Sequence, residues 1–105
     1  MSVKNPKAKG SGGERELAKV MQAYGYAARR GTQTKGGQLE ADVVAIPGWH
    51  IEVKRVERLN IYKAFEQAEK DSKKLKDGRP CVIHRKNYGE WMITLRLADW
   101  IKRED

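Results

Sequence analysis

The sequence predicts one α/β domain in which a mixed β-sheet is flanked by helices. Short β-prone segments alternate with amphipathic segments in the order α-β-β-β-α-β-β-α. One long helical segment separates two strands, as in a crossover between parallel strands. The length of 105 residues suits a single domain. We place this domain at residues 14–105 and expect residues 1–13, which are basic and rich in Gly and Pro, to form a flexible tail.

The first helix is predicted from about Gly12 to Tyr24. Ser11 and Glu14 match the S-x-x-E capping box, which marks a helix start, and Gly25 is a typical helix end. Four apolar or aromatic residues recur at helical spacing and give this helix an inner face. They are Leu17, Val20, Met21 and Tyr24.

Three strands are predicted next. Residues 26–30 form a short strand, and the polar, Gly-rich residues 31–38 form a loop. The β-prone segment 41–46 and the segment 50–56 form a hairpin around Pro47 and Gly48, which are turn residues.

The second half of the chain begins with a long amphipathic helix at residues 61–76. Asn60 is a suitable N-cap and Gly78 a suitable end for this helix. The remaining predicted elements are strands at 81–85 and 90–95 and a short helix at 97–102.

The composition favours an acidic partner. The net charge of +8 and the pI of about 9.7 are typical of nucleic-acid-binding proteins. We expect no membrane partner, because no apolar run reaches the ~18 residues that span a bilayer. Cys81 is the only cysteine, which suits a reducing cytoplasm and excludes a Cys-rich zinc site. No apolar run follows Met1, so no signal peptide is expected.

Glu52 and Lys54 are two residues apart on a predicted strand and therefore share a face. A carboxylate is a ligand for Mg²⁺, and such an ion activates water and neutralises charge in phosphodiester hydrolysis. A neighbouring lysine can orient the water and stabilise developing charge. Taken alone, E-x-K is also common on solvent-facing strands, so the pair has an ordinary alternative as a polar strand face.

Asp42 begins the preceding strand, and its relation to Glu52 depends on register. A two-residue turn at Pro47-Gly48 pairs Val43 with Glu52 and puts Asp42 on the other face of the sheet. A three-residue connection at 46–48, or an equivalent bulge, sets Asp42 opposite Glu52. Only the second arrangement makes a pair of metal ligands, and the sequence leaves both open.

Glu14 is the third candidate acid. It has a structural role as the glutamate of the capping box. It also precedes Leu17 by three positions, so it lies near the inner face of the helix and could reach over the sheet.

One flank of helix 61–76 carries three lysines around one glutamine, which suits contact with phosphates. The alternative is a solvated helix face, because Glu66 and Lys70 form an i,i+4 pair. The residues of this lysine flank are Lys63, Gln67, Lys70 and Lys74.

Four ordered motifs resemble the PD-(D/E)XK nuclease superfamily, and within it the archaeal-type Holliday junction resolvases and their phage relatives. They are G-x-x-x-E-R-E-L at 10–17, G-Y-x-x-x-R at 25–30, A-D-V-V-A at 41–45 and I-E-V-K at 51–54. The resemblance implies a restriction-endonuclease-like core and a metal-dependent endonuclease that cuts four-way DNA junctions during recombination and repair. Phage-encoded relatives act in the host cytoplasm.

The resemblance also implies roles for individual residues. Asp42 and Glu52 would bind Mg²⁺ with Glu14 and the carbonyl of Val53, and Mn²⁺ would substitute. Lys54 would be the motif lysine, and Gln67 would support the site. Either Arg29 or Arg30 would bind DNA. The full set of expected DNA contacts is Lys7, Lys9, Arg15, Arg29, Arg30, Lys35, Arg55, Lys63, Lys70 and Lys74.

These resolvases are homodimers, so a dimer is expected on branched DNA, with Trp91, Met92, Ile93 or Trp100 as interface candidates. Two alternatives remain open. One is another nuclease of the superfamily that acts on nicks, flaps or single-stranded ends. The other is a non-catalytic basic module that binds nucleic acid, in which the acids and Lys54 form a surface salt-bridge patch.

Overall fold

A computed structural model of the protein describes residues 6–34 and 37–103; for residues 6–11 and Gln38 it describes the backbone alone. A five-stranded mixed sheet, in the order β1-β4-β5-β6-β7, lies between two helices, and a two-stranded sheet joins β2 to β3. The predicted fold class is confirmed. The elements are α1 Pro6–Ala23, β1 Arg29–Arg30, β2 Gln33–Thr34, β3 Gly37–Gln38, β4 Val43–Val44, β5 Trp49–Arg55, α2 Ile61–Leu75, β6 Arg79–Arg85, β7 Met92–Leu95 and α3 Leu97–Lys102.

Helix α1 begins at Pro6 and not near Gly12, so residues 6–13 of the predicted tail are helical; residues 1–5 lie outside the described part of the chain. Pro6 fits the first turn of a helix, which needs no backbone donor there. Ser11 consequently lies inside the helix and does not cap it. Gly13 allows close packing, because a Cβ there would lie 2.8 Å from Cβ of Arg55 on β5. This tertiary contact explains why a Gly-rich segment is helical.

The loop predicted at residues 31–38 is partly wrong, because β2 and β3 pair within it as a small hairpin. Strands β1 and β4 are shorter than predicted and cover two residues each. They pair antiparallel, with Arg30 opposite Val43. Gly31 continues this contact, and its backbone N–H donates to the carbonyl of Asp42 at 2.9 Å.

The register between β4 and β5 places Val43 opposite Ile51. The preceding residue, Asp42, therefore lies opposite Glu52, and their side chains share a face. The backbone N–H of Trp49 donates to the carbonyl of Ile46 at 3.2 Å, which closes the turn. The register is the one expected of the three-residue connection at 46–48.

The central strands β5 and β6 are parallel and are joined through α2, as predicted. Asn60 caps α2, and its Oδ1 accepts from the backbone N–H of Lys63 at 3.1 Å. The helix ends one turn before Gly78, because Lys76 adopts a left-handed conformation with φ 53° and its N–H bonds the carbonyl of Ser72. Helix α3 has the predicted bounds.

The two helices pack on opposite faces of the sheet. Leu17 and Met21 of α1 belong to the main core with Ile51 and Val53, the odd-numbered residues of β5. Three small residues of α2 face the other side of the sheet, where Val82 is fully buried. They are Ala64, Ala68 and Ser72. The even-numbered residues of β5 therefore lie on the α2 face. Within the described residues, no helix has the length and apolar character needed to cross a membrane.

Candidate active site

The carboxyl groups of Asp42 and Glu52 form the centre of the candidate site. Both residues are buried, with 8% and 6% exposure. The backbone N–H of Val53 donates to Oδ2 of Asp42 at 2.9 Å. Burial and then the contact with Asp42 raise the pKa of Glu52 to about 9. At neutral pH the Glu52 carboxyl group therefore holds a proton.

Lys54 lies on the same face of β5 as Glu52 and is half-buried. Burial and Asp42 raise the pKa of Glu52, and the positive charge of Lys54 opposes this rise. The ammonium group of Lys54 is therefore close enough to Glu52 to interact with it electrostatically. A cavity of about 380 Å³ opens beside Lys54 and is lined on the α2 side by Lys63 and Gln67. The structure thus brings Lys54 and Gln67 to one cavity, whose lining residues do not include Asp42 or Glu52.

Glu14 approaches the acids from α1. Its Oε2 accepts from Nε of Arg30 at 2.5 Å. Burial raises the pKa of Glu14, the hydrogen bond from Arg30 opposes this effect, and the charge of Asp42 raises the pKa further. Glu14 is therefore close enough to interact with Asp42, while its carboxylate is held by Arg30.

A second set of ligand atoms meets at Glu52. One ring nitrogen of His50 and one carboxylate oxygen from each of Glu52 and Asp71 lie within 4.8 Å of one another. Among the described residues, Glu14, Asp42 and Glu52 do not form such a set. Arg30 occupies Oε2 of Glu14, so this oxygen would have to exchange Arg30 for a cation before it could join the two other acids.

The two candidate arginines of β1 have different partners. Arg29 forms two hydrogen bonds with Glu40, at 2.7 and 2.6 Å, and this contact, with Thr32, lowers the pKa of Glu40 to about 2. Arg30 contacts Glu14. Of the two, Arg30 is thus the one joined directly to a candidate site residue.

The other expected DNA contacts are dispersed. Arg15 and the lysine flank of α2 are exposed. Arg55 is engaged within the protein, because it donates to Glu16 at 3.3 Å and to Asn87 at 2.8 Å. The side chains of Lys7 and Lys9 and the whole of Lys35 lie outside the described residues.

Sequence reasoning missed Asp71 and Asp77 and gave His50 no chemical role. Nδ1 of His50 lies 2.9 Å from both carboxylate oxygens of Asp77, and Gln67 donates to Oδ1 of Asp71 at 3.1 Å. The contact between Gln67 and Asp71 could have been predicted from the sequence, because the two residues are four positions apart on a helix. The contact of His50 with Asp77, however, depends on how α2 lies across β5.

The site thus has two buried acids opposite each other on neighbouring strands and a lysine two residues after the second acid. A comparison with known protein families gives a match that agrees with this arrangement. The family described as "Phage putative PDDEXK endonuclease" matches residues 5–104. The chain belongs to this family of PDDEXK endonucleases. The resemblance inferred from the four motifs is therefore confirmed. No curated protein gives a significant match to the chain.

A solved structure with a similar fold is Hjc, a Holliday junction resolvase from the archaeal hyperthermophile Archaeoglobus fulgidus. The match has a TM-score of 0.58 and 25% sequence identity, and it covers 83% of this chain and 72% of Hjc. The architecture of this PDDEXK endonuclease is thus resolvase-like.

The residues of the site suit the divalent metal ions that PDDEXK nucleases use. Oε2 of Glu52 is buried and has no hydrogen-bond partner among the described residues. An unpaired carboxylate oxygen in a buried site is costly unless a cation or a donor satisfies it. With Asp42 beside it, Glu52 offers the hard oxygen ligands that Mg²⁺ and Mn²⁺ prefer.

Proposed function

We propose that this PDDEXK endonuclease is a Mg²⁺-dependent Holliday junction resolvase that hydrolyses phosphodiester bonds at four-way DNA junctions. The observation that carries the proposal is the register that sets Asp42 opposite Glu52, with Lys54 on the same face. The similarity to Hjc supports the choice of a branched substrate. In phage recombination and repair, such an enzyme would work in the host cytoplasm.

Asp42 and Glu52 would hold the cation, with the carbonyl of Val53 and with Glu14 once Arg30 releases it. A divalent cation bound there neutralises charge on the scissile phosphate and activates the attacking water. Mn²⁺ has similar ligand preferences and would substitute for Mg²⁺. Oxygen ligands from a strand pair also place the cation on a rigid part of the fold.

The side chains around the acid pair would supply positioning and charge. Lys54 would orient the water and stabilise negative charge that develops on the phosphate. Gln67, which lines the same cavity, would fix the position of Asp71 and the edge of the site. The proton on Glu52 would leave to solvent when a cation binds, because metal ligands must be deprotonated.

DNA binding would depend mainly on phosphate contacts. Arg15 and the exposed lysine flank of α2 could neutralise phosphates. Arg30, which is paired with Glu14, would contact phosphate next to the acids. Contacts to phosphate carry no sequence information, so they suit recognition of a junction by its shape. Lys7, Lys9 and Lys35 remain predicted contacts, and so does Arg29, which would need to exchange Glu40 for phosphate.

A homodimer would let each subunit cut one of two opposed strands. An apolar groove of about 450 Å³ lies on the sheet beside β7 and α3 and is lined by Leu95, Ile93 and Trp100. Ile93 and Trp100 are 52% and 48% exposed. β7 is also an outer strand of the described sheet. Exposed apolar groups beside an edge strand favour a subunit interface there, so Ile93→Glu should dissociate a dimer detected by sedimentation.

The proposal is tested by incubating the protein with a four-way junction, a linear duplex, nicked or flapped duplexes and single strands, with Mg²⁺ or with EDTA. Symmetric nicks in the junction alone are expected. Cleavage of nicks, flaps or single-stranded ends in place of the junction would support the alternative nuclease. Absence of Mg²⁺-dependent cleavage on every substrate would contradict both and favour a non-catalytic nucleic-acid-binding module.

Glu52→Gln and Asp42→Asn provide the matching variants. Either change should abolish nicking, because a cation ligand is lost, yet keep or strengthen junction binding. At Asp42 the change also removes a carboxylate that repels phosphate. Glu66→Gln is the control, since Glu66 is exposed on α2. If both variants lose their fold, the acid pair has a structural role.

A further inference from the structure

His50 is buried in an arrangement that is typical of a metal-binding histidine. Its ring is fully buried, and Nδ1 lies 2.9 Å from both oxygens of the Asp77 carboxylate. A carboxylate accepts hydrogen bonds, so Nδ1 donates to Asp77, and Nε2 is the ring nitrogen left for a metal ion. Nε2 has no hydrogen-bond partner among the described residues. Histidines that bind metals usually donate their other ring N–H to a carboxylate in this way.

Two carboxylates stand beside this ring. One oxygen from each of Glu52 and Asp71 lies within 4.8 Å of a His50 ring nitrogen and of the other oxygen. Because Asp77 engages Nδ1, Nε2 is the ring nitrogen available to a ligand. Oε2 of Glu52 also lacks a partner in the described part of the chain. Two residues of this cluster thus each have a buried polar atom without a partner in the described part of the chain, and a bound cation would satisfy both atoms.

We propose that Nε2 of His50, Glu52 and Asp71 form a second metal site, which selects a divalent first-row transition metal such as Zn²⁺ over Mg²⁺. The imidazole nitrogen is the reason for this selectivity, because Zn²⁺ accepts nitrogen ligands readily whereas Mg²⁺ prefers oxygen. The site that Glu52 forms with Asp42 has oxygen ligands only, whereas the site that it forms with His50 also has a nitrogen ligand. Asp77 holds the ring of His50, and Gln67 holds Asp71.

A metal at this site would connect β5 to α2. His50 and Glu52 lie on β5, and Asp71 lies on α2. A cation that binds the folded chain more tightly than the unfolded chain stabilises the fold. The site therefore acts on the fold and on the placement of Glu52, and its occupation does not require nuclease activity.

The test uses the full chain, freed of metal by a chelator and titrated with Co²⁺ as a spectroscopic probe and with Zn²⁺ in calorimetry, both in excess Mg²⁺. Wild type should bind one Co²⁺ with visible absorption typical of a nitrogen ligand, and Zn²⁺ should displace it and raise the melting temperature. His50→Asn keeps a donor for Asp77 but removes Nε2, and Asp71→Asn keeps the contact with Gln67. Each should lower Co²⁺ affinity by about tenfold or more.

His84→Asn is the matched histidine control, because Nε2 of His84 already contacts Thr94 at 3.0 Å and lies outside the cluster. Direct evidence would come from the ¹⁵N signal of His50 Nε2, which should shift strongly on addition of Zn²⁺. The proposal is overturned if wild type binds no Co²⁺ in excess Mg²⁺, or if both His50→Asn and Asp71→Asn bind it like wild type. The readout is metal binding and not nicking, so this site and the nuclease proposal can fail independently.

Discussion

Asp42 and Glu52 lie opposite each other across the antiparallel β4–β5 pair, and both residues are buried. Two carboxylates this close repel each other unless a proton or a cation lies between them. Without a cation, the proton on Glu52 satisfies the pair. The same contact that prepares a metal site thus makes the metal-free fold sensitive to pH.

The first prediction concerns that pH dependence. Glu52 has its pKa raised from 4.5 to about 9 by burial and by Asp42 and Asp71, with Lys54 opposing. Between these values the folded state holds a proton that the unfolded state has lost. Its stabilisation is complete below the unfolded pKa and is lost as pH rises towards about 9. In EDTA, the free energy of unfolding should fall by at most ~1.4 kcal/mol per pH unit from this group.

Urea denaturation from about pH 5 to about pH 9 measures this slope. Glu52→Gln is neutral and can still donate to Asp42, so its stability should vary much less with pH. Glu66→Gln, on the exposed side of α2, should retain the wild-type slope. Equal slopes in wild type and Glu52→Gln would show that Glu52 does not hold the proton.

The register of the hairpin shows what sequence could and could not decide. The acids, the lysine and the hairpin that carries them were identified in the sequence, but Pro47 and Gly48 are compatible with either register. The difference depends on backbone contacts such as Trp49 with Ile46. Residue preference at the turn cannot fix the register by itself, because the register also depends on how β4 pairs with β1 and with β5.

Helix α1 shows a second limit of sequence reasoning. Its first two turns contain Gly10, Gly12 and Gly13, which disfavour a helix, so the sequence predicted a tail. Packing of Gly13 against Arg55 is a contact between residues far apart in the chain. The contact between His50 and Asp77 was not predicted for the same reason, because these residues are also far apart in the chain.

Lys54 gives a second prediction. If it stabilises charge on the phosphate, Lys54→Met should lower the single-turnover rate of junction nicking by ~10²–10³-fold. Junction affinity should change little, because many other cations contact phosphate. Lys73→Met removes an exposed lysine from α2 and should leave both quantities at wild-type values. A parallel loss of affinity and rate in Lys54→Met would instead indicate a binding role.

The lysine flank of α2 gives a third prediction. Lys70→Gln with Lys74→Gln removes two exposed positive charges from this flank. If both contact phosphates, the slope of log affinity against log salt should become shallower by ~0.9 per lost contact. The control is Lys73→Gln with Lys76→Gln, which removes the same charge from exposed positions outside this flank, at the end of α2 and at its C-cap. Equal changes in both double variants would mean that net charge, and not this flank, controls binding.

Gly31 gives the fourth prediction, because it determines where Asp42 lies. A Cβ at Gly31 would be 1.7 Å from the carbonyl oxygen of Ala41, so Gly31→Ala must displace the segment that carries Asp42. The hydrogen bond from Gly31 to the Asp42 carbonyl would be strained as well. Overpacking of this kind typically costs ~1–3 kcal/mol, and Mg²⁺ affinity should fall as Asp42 moves away from Glu52.

Gly12→Ala is the matched control, because a Cβ there meets nothing within 4 Å and Gly12 lies inside helix α1. This change should raise stability by roughly 0.5–1 kcal/mol, since alanine loses less backbone entropy than glycine in a helix. Urea denaturation gives the stability of both variants, and calorimetric titration gives their Mg²⁺ affinity. If Gly31→Ala matches wild type in both measurements, the close approach of Gly31 to Ala41 does not position Asp42, and the register must be held by β5 alone.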